Sequence, residues 1–220
     1  MTEAFDIAFK DLPAEIPVFP LPRVILLPRV QLPLNIFEPR YLAMVDAAMR
    51  SHRMIGMIQP QSDAAGADLC AIGGAGRIVS FTETDDGRYL ITLKGVCRFR
   101  LSGGVEKAAG GYLHTRPDWA PFADDFNPDT VTDICRDAMI NRLHAYFKQM
   151  EMSCDQWEQI RQIGCERLVS TLSVVCPFES EEKQALLEAP TLAERARLLQ
   201  GLLERAVRQS CCGDSPETCH

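Results

Sequence analysis

Residues 16–41 read IPVFPLPRVILLPRVQLPLNIFEPRY, and the architecture turns on how this stretch is laid out. Within it, Ile16–Leu34 carries five prolines, at 17, 20, 22, 28 and 33, in a mainly apolar run. Proline has no N–H to give a sheet ladder, so the run cannot be one long central strand. It reads as edge strands and extended links, with Val24–Leu27 the best strand within it. Glu38-Pro39 then opens a helix, with Pro39 at the first helical position where a missing N–H costs nothing. Tyr41, Val45, Ala48 and Met49 fall on one face of that helix.

Downstream, the hydrophobic period is that of short strands. Met54–Ile58 is one; Leu69–Ile72 and Arg77–Thr84 are two more, separated by Gly73-Gly74. Asp85-Asp86-Gly87 is a hairpin signal. On the return strand Tyr89, Ile91, Leu93, Cys97, Phe99 and Leu101 point one way. Thr92, Lys94, Arg98 and Arg100 point the other, with Gly95 as a bulge or bend. Tyr112–Arg116 is the last strand, stopped by Pro117. These elements predict an α+β chain whose first part is a barrel-like antiparallel sheet with one helix.

Near residue 120 the period becomes helical. Asn127-Pro128 opens a helix bearing Val131, Cys135, Met139, Leu143, Tyr146 and Met150. Ser153-x-x-Gln156 is a capping box before Trp157, Ile160, Gly164, Leu168 and Leu172, and Pro177 breaks that helix. Ser180 caps a short helix to Glu188, and Thr191-x-x-Glu194 is a second capping box before the final helix. The expected division is a β-rich part over 1–119, a helical bundle over 120–208 and a mobile tail over 209–220.

Bulk properties narrow the function classes. The 220 residues are 46% hydrophobic and 24% charged, with a mean hydropathy of −0.07, as a folded soluble domain requires. No apolar window is long enough to span a bilayer, and MTEAFDIAFK lacks the basic-then-apolar order of a secretory signal. Nine cysteines at scattered positions make a poor disulfide framework and fit a reducing cytoplasm. The net charge of −7 resides wholly after residue 119, where 17 acids face 10 bases; before it 13 face 13. Neither part carries the basic footprint of a phosphate-binding surface, which disfavours nucleic acid as a partner.

Catalytic motifs are missing too. GGAG at 73–76 and GG at 110–111 lack the lysine and hydroxyl of a nucleotide-binding loop and read as turns. No G-x-S-x-G elbow occurs; Ser215 lies in the tail, and His52, His114 and His144 fall in three separate elements. Cys211, Cys212, Cys219 and His220 are four zinc-compatible groups, but without C-x-x-C spacing they are weak metal candidates. No cofactor is expected.

The run IPVFPLPRVILLPRVQLPLNIFEPRYLAMVDAAM resembles the Lon protease N-terminal, substrate-binding domain family. So do MIGMI, LCAIGGAGRIVSFTETDDGRYLITLKGVCRFRL and EKQALLEAPTLAERARLLQGLL. The resemblance covers about Ile16 to Leu203. It implies a PUA-like β pseudobarrel followed by a helical bundle. In full-length Lon such domains engage unfolded protein substrates and support hexamer assembly, and a related domain in cereblon is an adaptor surface. A bacterial, cytoplasmic, non-enzymatic polypeptide-binding or adaptor protein is therefore expected, its partner an unfolded or extended polypeptide or another protein. The alternatives are an ATP-independent peptidase of the Lon-related family and an RNA-binding PUA relative.

The candidate peptide contacts are Val18, Phe19, Leu21 and Pro22, on an edge expected to have free backbone groups. Glu38, Arg40 and Tyr41 at the helix start join them, as do Arg98 and Arg100, whose guanidiniums suit carboxylates.

Overall fold

A computed structural model describes residues 7–62, 64, 66–127, 136–149 and 162–211. Its strands are β1 (Ile16–Pro20), β2 (Gln31–Ile36), β3 (Met54–Ile58), β4 (Ile72–Glu83), β5 (Tyr89–Lys107) and β6 (Leu113–Asp118). Helix α1 (Pro39–Met49) lies between β2 and β3. After β6 come a 3₁₀ segment (Ala120–Phe126), α2 (Arg136–Gln149), α3 (Cys165–Val175), α4 (Ser180–Glu188) and α5 (Leu192–Cys211).

The sheet order is β2-β5-β4-β3-β1-β6, and β6 also pairs with β5. Five strands thus close into a ring, and β2 lies outside it against the first third of β5. One strand can serve both neighbours because β5 is 19 residues long and bends. Its register shifts at Gly95–Cys97 and again between Ser102 and Glu106, bulges that let a sheet curl. The α+β class holds, but the sheet is mixed: β1 runs parallel to β3. The intervening β2 and α1 supply the long crossover that a parallel pair needs.

The proline-rich run behaves differently from its expected edge. β1 sits between β3 and β6, overlapping both only at Val18. Pro17 is opposite β6 alone and Pro20 opposite β3 alone, so neither proline has to serve two full ladders. Val24–Leu27 is not a strand. It crosses the β4–β5 face between turns at Pro22-Arg23 and Pro28-Arg29, where Arg23 and Arg29 take φ of 61° and 66°. Proline followed by a positive φ is type II turn chemistry, here with arginine where glycine is usual.

Two glycines admit the crossing segment. A Cβ on Gly74 would stand 1.8 Å from the Leu26 carbonyl oxygen, and one on Gly95 would stand 2.0 Å from that of Leu27. Arg29 N–H donates to Gly95 O and Gly95 N–H donates to Val30 O, both at 2.8 Å. Gly73-Gly74 is therefore not a turn between two strands. It lies inside a single twelve-residue β4, kept small for close approach. Pro117 likewise falls within β6 rather than ending it.

The helices obey their caps with two shifts. Glu179, not Ser180, caps α4 in a box with Glu182, while Thr191 and Glu194 form the expected box before α5. Gly164 is extended and precedes α3 instead of lying within a longer helix. α5 runs to Cys211, into the stretch expected to be tail. Val131, Cys135, Met150, the Ser153–Gln156 box, Trp157, Ile160 and residues 212–220 lie outside the described residues. No described helix is long and apolar enough to cross a membrane.

Three apolar clusters result. One fills the ring around Phe99, Val18 and Met54. A second lies under α1, with Phe19, Leu26, Met44 and Leu93. The third joins the helices to Ile25, Leu27 and Val30 of the crossing segment. Alternate residues of one irregular stretch thereby enter two cores.

Candidate functional site

Where β2 meets α1 the chain must turn from sheet to helix within two residues. Ile36 is the last buried strand residue; Glu38 is extended, as a residue before proline is biased to be, and Pro39 starts the helix. The Glu38 side chain does not cap the helix. Its Oε2 accepts from Arg40 Nε at 3.0 Å and Nη2 at 2.9 Å. The Arg40 guanidinium carbon lies 4.5 Å from the centre of the Tyr41 ring, which itself packs 4.2 Å from that of Phe19. A surface ion pair thus leads through a cation–π contact into the core. Burial pushes the Tyr41 phenol up from its usual range, against the pull of the Arg40 guanidinium.

Phe37, between Ile36 and Glu38, is 64% exposed. At the same end of the sheet are Leu90, 45% exposed and in register with Asn35, and Phe81, 39% exposed. Phe81 packs edge-on against Tyr89 at 4.9 Å, and the Tyr89 hydroxyl lies 3.2 Å from Asp46 Oδ1 of α1. Phe81 is opposite Ile91 and packs on Tyr89, on the α1 side of the sheet. Leu90 is opposite Asn35 and Thr82, on the outer side, so the three exposed residues do not form one patch. The adjoining β2 pairs with β5 on one side only; among the described residues no strand covers its other edge.

The expected site residues separate on this geometry. Val18 is buried in the ring and Phe19, 6% exposed, beneath α1, where neither offers a surface. The unpaired edge belongs to β2, not to the Phe19–Pro22 run, of which Pro20 and Leu21 are half-buried and Pro22 alone is exposed. Tyr41 is buried, while Glu38 and Arg40 lie beside Phe37. Arg100 is exposed on the far stretch of β5.

Arg98, expected as a peptide contact, is not available as one. It is 7% exposed because the 3₁₀ segment after β6 folds over that face. Its Nη2 and Nε reach Asp125 Oδ1 at 2.8 and 3.2 Å, and its Nη1 donates to Leu187 O at 3.1 Å and Ala189 O at 2.9 Å. It ties the ring to α4, with its guanidinium spent internally.

More polar ties line the same junction. Arg29 pairs with Glu166 and donates to Asp125 O at 2.8 Å; Arg23 pairs with Glu179 at 2.8 Å. Gln59 donates to Ser180 O and Gln184 Oε1, and Gln184 returns to Ile72 O, each at 3.0 Å. The small cleft they border, lined by Arg29, Arg98, Arg195, Asp124, Asp125 and Glu166 among others, balances three bases with three acids. His52 follows α1, His114 pairs with Glu15 on β6, and His144 is on α2, so the histidines do not converge. No group of three metal-ligating side chains occurs among the described residues, and Cys212, Cys219 and His220 lie outside them.

Sequence reasoning missed the β2 edge, Phe37, Leu90 and Phe81. The signal was present in the alternation Leu32, Leu34, Ile36, but Phe37 reads equally well as a residue packing under the helix it precedes.

Comparison with known proteins places this geometry. Residues 15–205 match the family described as the ATP-dependent protease La (LON) substrate-binding domain. Lon protease 2 of Myxococcus xanthus is 26% identical over 203 residues, covering 89% of this chain and 24% of its own length. Lon protease of Escherichia coli K12 is 23% identical over 201 residues, covering 88% and 25%. The chain thus spans about a quarter of these curated relatives. The N-terminal domain of the Mycobacterium avium complex Lon protease superposes with a TM-score of 0.63 at 19% identity, covering 86% of this chain and 98% of that one. A Lon N-terminal domain protein from Xanthomonas campestris gives 0.57 at 20% identity, covering 86% and 97%. These likenesses support the fold, and the match over residues 15–205 establishes the lineage: the chain belongs to the Lon substrate-binding domain family.

Proposed function

We propose that this chain is a non-catalytic binding protein for unfolded or extended polypeptide, acting as a recognition or adaptor module. The family's domain is the substrate-binding part of Lon, which supports a substrate-binding role here. The observation that carries the reading is the pair of exposed apolar side chains, Phe37 and Leu90, next to the uncovered edge of β2, with Phe81 exposed on the opposite side of the same end of the sheet. Glu38 and Arg40 form its polar rim. Such a surface removes apolar area from water when an unfolded chain covers it, without demanding one sequence. Affinity should be on the order of micromolar, because a small patch must offset the lost freedom of the bound chain.

The test is a titration of a labelled, reduced and carboxymethylated unfolded protein. The Phe37→Ser/Leu90→Ser double variant should keep its circular dichroism spectrum and bind about tenfold more weakly, since two partly buried side chains contribute on the order of 1 kcal/mol or more. Equal binding by parent and variant moves the site elsewhere. ATP or casein turnover that tracks the protein peak overturns the non-catalytic reading.

A further inference from the structure

We infer that the outer edge of β2 receives an extended, uncharged apolar segment as an added antiparallel strand, with a basic residue just before that segment. The inference rests on the polypeptide-binding reading and specifies where and how the chain docks.

Residues Gln31–Phe37 carry no charge at all. Edge strands usually discourage pairing with lysines, bulges or inward charges; β2 has only Pro33. Its neighbour β5 occupies one side from Gln31↔Lys94 to Ile36↔Tyr89, which leaves the other row of backbone groups for a guest. Leu32 and Leu34 are half-buried on the core face, while Pro33 and Asn35 face out. A guest strand would thus extend an apolar face on one side and meet neutral side chains on the other.

Charge gives the direction. β2 runs toward the β4–β5 hairpin, whose tip carries Glu83, Asp85 and Asp86 against Arg88 alone. An antiparallel guest begins beside that tip, so a lysine or arginine preceding its apolar run meets an acidic end. A second copy of this chain fits poorly. Symmetric pairing over residues 31–36 sets each Pro33 opposite Leu34 beside the two-fold axis, removing a donor from both chains. A six-residue strand spans only about 20 Å, and a contact along that one edge is too narrow to bury the roughly 1,200 Å² of a stable interface.

Three fluorescein-labelled peptides test this by anisotropy at low salt. The first is an alternating Val/Thr run preceded by two lysines; the second carries two glutamates instead; the third is the lysine peptide with a central proline. The lysine peptide should bind at least fivefold more tightly than the glutamate peptide, with the gap closing at high salt. The proline peptide should not bind. Pro33→Lys/Asn35→Lys, both at exposed positions, should weaken the lysine peptide about tenfold, and Asn35→Lys alone serves if the double variant unfolds. If unfolded protein binds parent and edge variant equally, strand addition is wrong while polypeptide binding stands. If the parent binds no polypeptide, the functional reading falls as well. A parent dimer abolished by the edge substitutions names a second copy as the guest and overturns the inference.

Discussion

Arg98 Nη2 lies 2.8 Å from Asp125 Oδ1, and both side chains are almost wholly withdrawn from water. Asp125 also accepts from the Arg98 backbone N–H at 2.8 Å, so one carboxylate holds both ends of the residue. Removing either partner leaves the other charge buried without its counter-charge. Arg98→Ala and Asp125→Ala are each expected to cost about 3–5 kcal/mol, measured by urea unfolding. A loss below about 1 kcal/mol in either would mean that water reaches the pair.

The notch for the crossing segment predicts sharp glycine effects. Gly74→Ala or Gly95→Ala puts a methyl group into a backbone carbonyl that cannot retreat. Each should prevent soluble folding or cost more than about 3 kcal/mol. Gly201 is the contrast: it lies in α5 with open space at its Cβ position, so Gly201→Ala should gain about 1 kcal/mol. Thermal melts of the three variants decide the matter, and three similar shifts would contradict the close approach.

Arg53 holds a φ of 58° in the turn after α1, and its side chain is exposed. Left-handed backbone is strained for any residue with a Cβ. Arg53→Gly should therefore raise stability by up to about 1 kcal/mol, less the extra unfolded-state freedom of glycine. A clear drop in melting temperature would show that the arginine side chain contributes more than its exposure suggests.

Stability should peak near pH 9. The Lys183 ammonium donates to the carbonyls of Ser173 and Val174 at the end of α3, but burial pulls its amine down from 10.5 to about 8. Between those values the unfolded chain binds more protons, so stability rises with pH above 8. Cys176 opposes this, because burial pushes its thiol up from 9.0 to about 11. There the folded chain keeps the proton, and stability falls as pH climbs past 9. Cys97, also raised by burial, adds to the fall. Urea midpoints from pH 7 to 10.5 should trace this maximum, and Lys183→Met should flatten the rising side. A rise that persists in the variant assigns it to another group.

The apolar alternation of β5, the Asp85-Asp86-Gly87 turn and the Thr191–Glu194 box were legible because each depends on neighbours within a few residues. The proposed interaction surface was less so. Glu38 and Arg40 could be picked out at the helix start, but Phe19 and Arg98 were read as accessible when other elements cover them. For Arg98 the covering element, Ala120–Phe126, begins more than twenty residues later. Strand periodicity says which side a residue takes, not what packs there.

By itself, then, the sequence determined the α+β class, most of the strands and helices, and the family resemblance, since period, proline placement and caps act locally. Only the tertiary structure decided that β1 is interior, that Val24–Leu27 is a buried crossing, and that β2 bears the open edge. Each of these depends on which distant segment fills a neighbouring place. For β1 the filling strands are β3 and β6; for the crossing it is a pair of glycines some fifty to seventy residues away. A proline forbids a hydrogen bond at its own nitrogen, but whether that nitrogen faces a strand or solvent is settled by closure of the ring.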